Sequence, residues 1–146
     1  MVKCSYFYHP TNNGITTLRE YATFSLVCRQ CQEAVCVKSC YRSALEKQSD
    51  GILKRYNFLC TSCRACVIVC PFGTVFSEFI PYLQSQCDYC LDRRDLGLPS
   101  CIGTCPYKAV ELREIEESLK ENIFFVGNNL AVKSRKWFKE EILPKR

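Results

Sequence analysis

The chain has 146 residues, 13 of them cysteine, with 20 Lys and Arg against 15 Asp and Glu for a formal charge of +5. Its apolar share of 47% counts those thiols. Setting them aside leaves about 38%, which is thin for a domain that rests on buried apolar area. No run approaches ~20 apolar residues without a charge, which excludes a membrane-spanning helix, and 9 Phe, 8 Tyr and 1 Trp argue against a disordered chain. Residues 1–21 contain no apolar export segment, so a cytoplasmic, reducing location is expected. Dense cysteine there signals metal rather than disulfides.

In chain order, residues 16–27 are rich in β-branched and aromatic side chains and predict one or two short strands. The first thiol set follows as Cys28-x2-Cys31-x4-Cys36-x3-Cys40. Residues 44–46 and 52–54 flank Ser49-Asp50-Gly51, a hairpin signal with Gly51 available for positive φ. Next comes Cys60-x2-Cys63-x2-Cys66-x3-Cys70-Pro71, with a strand predicted over 74–79. The last set is Cys87-x2-Cys90-x10-Cys101-x3-Cys105-Pro106, and the charged, Gly- and Pro-containing stretch at 92–99 within it predicts a solvent-facing loop. Residues 36–40, 66–70 and 101–105 predict single helical turns, and 109–113 a strand equivalent to 74–79. Past the last thiol, 115–122 reads as a short polar helix. Residues 123–126 and 130–133 bracket Gly127-Asn128-Asn129 as a second hairpin. Ser134 caps a final helix with Trp137, Phe138 and Ile142 on one face. The expected fold class is α+β, built from a repeated unit of binding loop, short helix and strand or hairpin. Residues 1–113 form the thiol-bearing domain, and 114–146 an extension suited to docking on another chain.

The middle set matches, position for position, the C-x2-C-x2-C-x3-C-P run that holds [4Fe-4S] clusters in bacterial ferredoxins. Three cysteines at short intervals wrap three corners of one cube. The fourth, on a helical turn leading away, reaches a different cube, and proline ends that turn. Zinc is the competing reading, because C-x2-C pairs also build Zn(Cys)4 sites. Four thiols between Cys60 and Cys70, with His9 as the single histidine, favour iron and sulfur. His9 itself reads as a surface or packing residue. A radical-enzyme C-x3-C-x2-C motif is absent, since Ser43, Gly73 and Lys108 stand where its last cysteine would be.

With these motifs the chain resembles the polyferredoxin-type iron–sulfur subunits of anaerobic oxidoreductases, from Cys4 to about Val110. That family carries four cysteine motifs and four cubanes, its outer and inner motifs exchanging ligands in pairs. Lys3-Cys4-Ser5-Tyr6-Phe7-Tyr8-His9 is similar to the ending of its first motif, without the first three cysteines. The resemblance implies a bacterial-ferredoxin-like fold around three [4Fe-4S] clusters. Cys28, Cys31, Cys36 and Cys70 would hold the first. Cys60, Cys63, Cys66 and Cys40 would hold the second. Cys87, Cys90, Cys101 and Cys4 would hold the third, leaving Cys105 unligated. The alternative is a plain buried Cys4, with Cys105 as the local fourth ligand. Tyr41 departs from the pattern by standing where proline usually follows the fourth cysteine.

Charge agrees with this reading. Each oxidised cubane with four thiolates adds about −2, so three bring the net charge to about −1. The basic residues then compensate buried negative charge rather than marking a nucleic-acid surface. The C-terminal Lys133, Arg135, Lys136, Lys139, Lys145 and Arg146 read as a solvated face broken by Glu140 and Glu141. Phe58, Phe72, Phe76, Phe79 and Tyr107 lie near the motifs, placed either to keep water from the sulfurs or to pack the core. No nucleophile–base pair, phosphate loop or dinucleotide fingerprint remains, so no catalytic residue is expected.

The expected function is a non-catalytic electron-transfer subunit of a hetero-oligomer, with no nucleic-acid partner and no direct membrane insertion. By resemblance the catalytic partner is a tungsten or molybdenum oxidoreductase. Tungsten enzymes of the aldehyde oxidoreductase family, including benzoyl-CoA-reducing complexes, are the favoured case. The alternatives are a freely diffusing ferredoxin and a zinc-binding interaction module.

Overall fold

The computed structural model describes residues 2, 4, 14–80, 87–92 and 97–135. Helix α1 (Gly14–Ala22) runs directly into a π-helical turn (Thr23–Val27). Then come α2 (Val35–Lys38), β1 (Leu45–Lys47), β2 (Leu53–Arg55), α3 (Ala65–Ile68), a 3-10 turn (Ser77–Phe79), α4 (Ser100–Gly103), β3 (Ile123–Phe125) and β4 (Ala131–Lys133). Helices and strands are mixed and all are short.

The strands expected over 16–27 are helical instead. Gly14, Thr17 and Glu20 are the buried positions of α1, and Phe24, 1% exposed, continues their face. A three-residue recurrence suits a helix, whereas a strand would turn Thr17 and Glu20 to opposite faces. Burial of that face outweighs propensity differences of under about 0.7 kcal/mol per residue. The π turn closes with the Cys28 N–H donating to the Thr23 carbonyl at 2.8 Å. Wide turns of this kind recur at functional sites, and this one delivers the Cys28 thiol into the core.

The first hairpin forms as its turn residues predict. Leu45 pairs with Arg55 and Lys47 with Leu53 in antiparallel register. Gly51, at φ +86°, closes the turn by donating its N–H to the Gln48 carbonyl at 2.9 Å. Alternation along β2 buries Leu53 and Arg55 and exposes Lys54. The second hairpin also forms, pairing Ile123 with Lys133 and Phe125 with Ala131.

All three expected helical turns are present, each with its set's third cysteine (Cys36, Cys66 or Cys101) as second residue. Each leads to the fourth cysteine and then to one recurring turn. The N–H groups of Ser43, Gly73 and Lys108 donate to the carbonyls of Cys40, Cys70 and Cys105 at 3.0, 3.2 and 3.2 Å. All three donors have left-handed φ, at 51°, 62° and 48°. Pro71 and Pro106 stand inside two of these turns, and Tyr41 replaces proline in the other without loss of the turn. Its hydroxyl lies 2.9 Å from Thr61 Oγ1 and ties the first thiol set to the loop of the second.

The strands expected at 74–79 and 109–113 are absent. Thr74 and Val75 are both buried, which breaks alternation. The chain there turns in a 3-10 step against α1, where exposed Glu78 pairs with Arg19 at 3.5 Å. Residues 109–113 are largely exposed and include the neighbouring ion pair of Glu111 and Arg113. The helix expected at 115–122 is replaced by an isolated bridge between Ser118 and Ile123. So short a polar segment has neither the length nor the apolar stripe to hold a helix. The final helix with Trp137, Phe138 and Ile142, and the stretch around Cys4 including His9, lie outside the described residues. So do residues 93–96 of the loop at 92–99.

The core is where the thiols are. Phe24, Leu45, Leu53, Val75 and Ile80 form one buried cluster together with Cys28 and Cys36. Cys40, Cys60, Cys66 and Cys70 pack against it. Among the described residues no helix is long and apolar enough to cross a membrane.

Candidate metal centre

All 13 cysteines are free thiols. Each C-x2-C loop bends at the residue before its second cysteine, with Gln30, Ser62 and Tyr89 at φ of 49°, 56° and 56°. Left-handed backbone costs a non-glycine residue about 1–2 kcal/mol. Its repetition at equivalent positions marks a shape the loops must hold. The bend turns backbone N–H groups onto sulfur, as in the Tyr89 N–H donating to Cys87 Sγ at 3.4 Å. Such concave runs of N–H groups favour a negatively charged occupant.

Cys28, Cys31 and Cys36 line one hollow, and its fourth thiol is Cys70 of the following set. Cys60, Cys63 and Cys66 line a second, completed by Cys40 of the preceding set. The two quartets cross over. Among the described residues no three Cys, His, Asp or Glu side chains converge closely enough to hold a single ion.

Burial pushes the Cys66 thiol up to about 11, and the Cys60, Cys40 and Cys63 thiols add to it. Cys28 and Cys36 are likewise raised, burial first. Cys70 moves the other way. Burial would raise it, but the Thr74 hydroxyl and the N–H groups of Phe72, Thr74 and Val75 outweigh that and hold it below the usual range.

A third group forms across α1. A Cβ added at Gly14 would stand 3.5 Å from Cys4 Sγ and 3.6 Å from Cys87 Sγ. Burial pushes the Cys87 thiol up to about 11, and the charges of Asp88, Cys4 and Cys90 raise it further. Cys101 is raised by burial and then by Cys90 and Cys4. The four thiols assigned to a third cluster are therefore neighbours. Cys105 stands apart from them. The N–H of Ala109 donates to its sulfur at 3.4 Å. Together with the N–H groups of Tyr107, Val110 and Lys108, it holds the thiol below its usual range. The Ala44 N–H on Cys40 Sγ, at 3.2 Å, repeats that arrangement.

Among the described residues, two buried polar side-chain atoms find no geometric hydrogen-bond partner, Arg55 Nη1 and Ser62 Oγ. Both adjoin the loop of the second quartet: Ser62 stands between Cys60 and Cys63 in sequence, and the Cys60 thiol acts on the Arg55 guanidinium. Buried orphans of this kind are rare and call for an acceptor. Cluster sulfur supplies one, so the residues present fit the group. Cations stand where a negative occupant needs them. Arg29 and Lys47 line the first hollow, and Arg42 and Arg64 the second. Lys47 Nζ also donates to the carbonyls of Gln30 and Cys31, at 3.1 and 2.9 Å.

Of the aromatics, Phe72 lines the first hollow, with Arg29 over its ring at 5.8 Å. Phe58 and Tyr107 are 98% and 88% exposed and neither shield sulfur nor pack the core. The sequence reading missed Thr74, Ser62 and the Glu20–Arg55 pair. Thr74 is legible in principle, four residues past Cys70. Nothing in the sequence links Glu20 to Arg55, 35 positions away.

The chain is 30% identical over 113 residues to the B subunit of anaerobic dimethyl sulfoxide reductase from Escherichia coli, covering 76% of this chain and 55% of that protein. It is 35% identical over 102 residues to an iron-sulfur protein of Rhodospirillum rubrum, covering 61% and 53%. A third relative, the B subunit of anaerobic dimethyl sulfoxide reductase from Haemophilus influenzae, is 30% identical over 94 residues, covering 64% and 46%. The chain thus spans about half the length of the curated relatives it matches. The family model of the 4Fe-4S dicluster domain matches residues 19–115, the stretch that contains both crossed quartets, and the chain belongs to that family.

Proposed function

We propose that this chain is an electron-transfer subunit, relaying single electrons through three [4Fe-4S] clusters to or from a catalytic oxidoreductase chain. The observation that carries the reading is the crossed pairing, in which each hollow takes three thiols from one set and its fourth from the other. When bound, each cluster supplies a one-electron couple. The protein's part is to hold and tune it. Cys28, Cys31, Cys36 and Cys70 hold the first, Cys60, Cys63, Cys66 and Cys40 the second, and Cys87, Cys90, Cys101 and Cys4 the third. Thr74 and the turn N–H groups donate toward sulfur, while Phe24, Leu53 and Val75 keep water from the core side. Cys105 is left without a cluster.

The domain family accounts for two clusters. The third is supported by the proximity of Cys4 to Cys87 and Cys101. The matches to reductase B subunits support a fixed place in a complex, and residues 114–146, with their hairpin, are the part proposed to dock. A molybdenum or tungsten partner, benzoyl-CoA-reducing complexes included, is the finer proposal, and it follows from the polyferredoxin resemblance.

Anaerobic purification from the native source, with iron and acid-labile sulfide counted on whatever co-purifies, tests the reading. About twelve of each per chain, with a catalytic subunit attached, is expected. About eight would remove the third cluster, and zinc in place of iron would remove the proposal. A lone monomer that reduces several acceptors would make the chain a diffusing ferredoxin. Cys4→Ser should lower the count to about eight. An unchanged count would give the fourth position to Cys105.

A further inference from the structure

The Glu20–Arg55 pair is the one fully buried ion pair among the described residues, with both side chains 3% exposed. Arg55 Nε donates to Glu20 Oε1 at 2.6 Å and Nη2 to Glu20 Oε2 at 2.8 Å. This two-point grip fixes the plane of the guanidinium and leaves Nη1 buried outside the pair, with the Cys60 thiol as the neighbouring group that accepts from the guanidinium. The backbone brings Cys60 to it: Arg55 ends β2, and the Tyr56 carbonyl then accepts from the Cys60 N–H at 3.1 Å. Ser62 Oγ, the other orphan, lies beyond Cys60 in the same loop. Arg55 and Ser62 therefore both flank the loop that carries Cys60 and Cys63.

Burying a carboxylate and a guanidinium together is costly, and removing one partner alone is strongly destabilising. A hydrophobic pair would fill the space between α1 and β2 more cheaply, so the charge calls for a purpose. The electrostatics agree with the geometry. Burial works against the Arg55 charge, but Glu20 and then Cys60 outweigh it and favour the charged guanidinium.

We propose that Arg55, oriented by Glu20 and assisted by Ser62, sets the reduction potential of the cluster held by Cys40, Cys60, Cys63 and Cys66. Positive charge and N–H or O–H donors beside sulfur stabilise the more negative, reduced state, so they raise the potential. Arg55 is a positioning and tuning residue and touches no substrate. The inference rests on the second site proposed above.

The test is a redox titration of the full chain, prepared anaerobically and followed by the electron paramagnetic resonance of each reduced cluster. Cys63→Ser identifies the signal that belongs to the second site. Arg55→Gln should shift that signal's reduction equilibrium about tenfold toward the oxidised side, a midpoint about 59 mV lower for one electron. The other signals should stay in place. Glu20→Gln should move the same signal upward, because it leaves the guanidinium uncompensated. Ser62→Ala should lower it by a smaller factor. Arg55→Gln strands a buried carboxylate and risks the fold, so the Glu20→Gln, Arg55→Gln double variant, with two amides in place of the ions, must still shift the signal downward, though by less than Arg55→Gln alone because the Glu20 charge is gone as well. A marked signal that stays put in the double variant and in Ser62→Ala overturns the role of Arg55 and leaves the site reading intact. Signals that all move together overturn it as well, since the effect would then be global. A native chain without iron, or one whose signals survive Cys63→Ser unchanged, takes down the second site and this inference with it.

Discussion

A thiol's chemistry in this chain is set by what faces its sulfur. Cys66 and Cys87 lie against apolar surface and other thiols, which favours the protonated form. Cys70 and Cys105 face turns whose N–H groups favour the thiolate. Cys105 differs from Cys70 in having no thiol quartet around it. In the iron-loaded protein it is therefore expected to be the thiol that iodoacetamide takes first, at a pH below that of an ordinary cysteine. Mass spectrometry of the anaerobically alkylated chain checks this. Modification spread evenly over several cysteines, or a protected Cys105 alongside a modified Cys4, would reverse the assignment of the fourth ligand.

At the scale of elements, the recurring device is a four-residue helix followed by a left-handed turn. The turn uses Ser43, Gly73 and Lys108 at equivalent positions, so glycine is absent from two of the three. A Cβ at Gly73 would meet nothing within 4 Å, and the penalty for Gly73→Ala is backbone strain alone. It should destabilise the loaded protein by about 1 kcal/mol, and Ser43→Gly should stabilise it by about 0.5 kcal/mol. Denaturant unfolding under anaerobic conditions measures both, and equal signs for the two would contradict the shared geometry. Helix α1 plays a different part. One end of it packs Gly14 on Cys4 and Cys87, and further along it anchors Arg55 through Glu20. A single element thus spans the second and third thiol groups.

For the whole molecule, sulfur stands in the place an aliphatic core would occupy, and folding is tied to what the thiols bind. In the iron-free protein the Cys66 and Cys87 thiols are raised from 9.0 to about 11. Their contribution to stability is then fully present below pH 9, the unfolded value, and is lost as pH rises through about 11. Binding iron requires the opposite state, so loading releases protons and is favoured by rising pH. Reconstitution yield should climb between pH 7 and 9, while the apo protein loses stability between 9 and 11. Iron uptake that is flat with pH would contradict the raised thiols. Chelation of iron from the loaded protein should open the structure, read as lost protection of backbone N–H groups in β1, β2 and α1.

The thiol spacings alone pointed to the short helical turns and to iron and sulfur rather than zinc, because a cubane constrains neighbours within a short stretch of chain, while the crossed grouping of the cysteines came from the family resemblance. Turn residues did the same for both hairpins, since Gly51 and Gly127 act locally. Residues 16–27 were not legible in this way: Thr, Tyr and Phe favour strand in isolation, and only packing against β2 and the first thiol set makes them a helix. The partnership of Glu20 with Arg55 also belongs to tertiary structure, whereas the nearness of Cys4 to Cys87 was already implied by the family resemblance. Glu20 and Arg55 lie far apart in the chain, and charge carries no record in sequence of what it will be folded against.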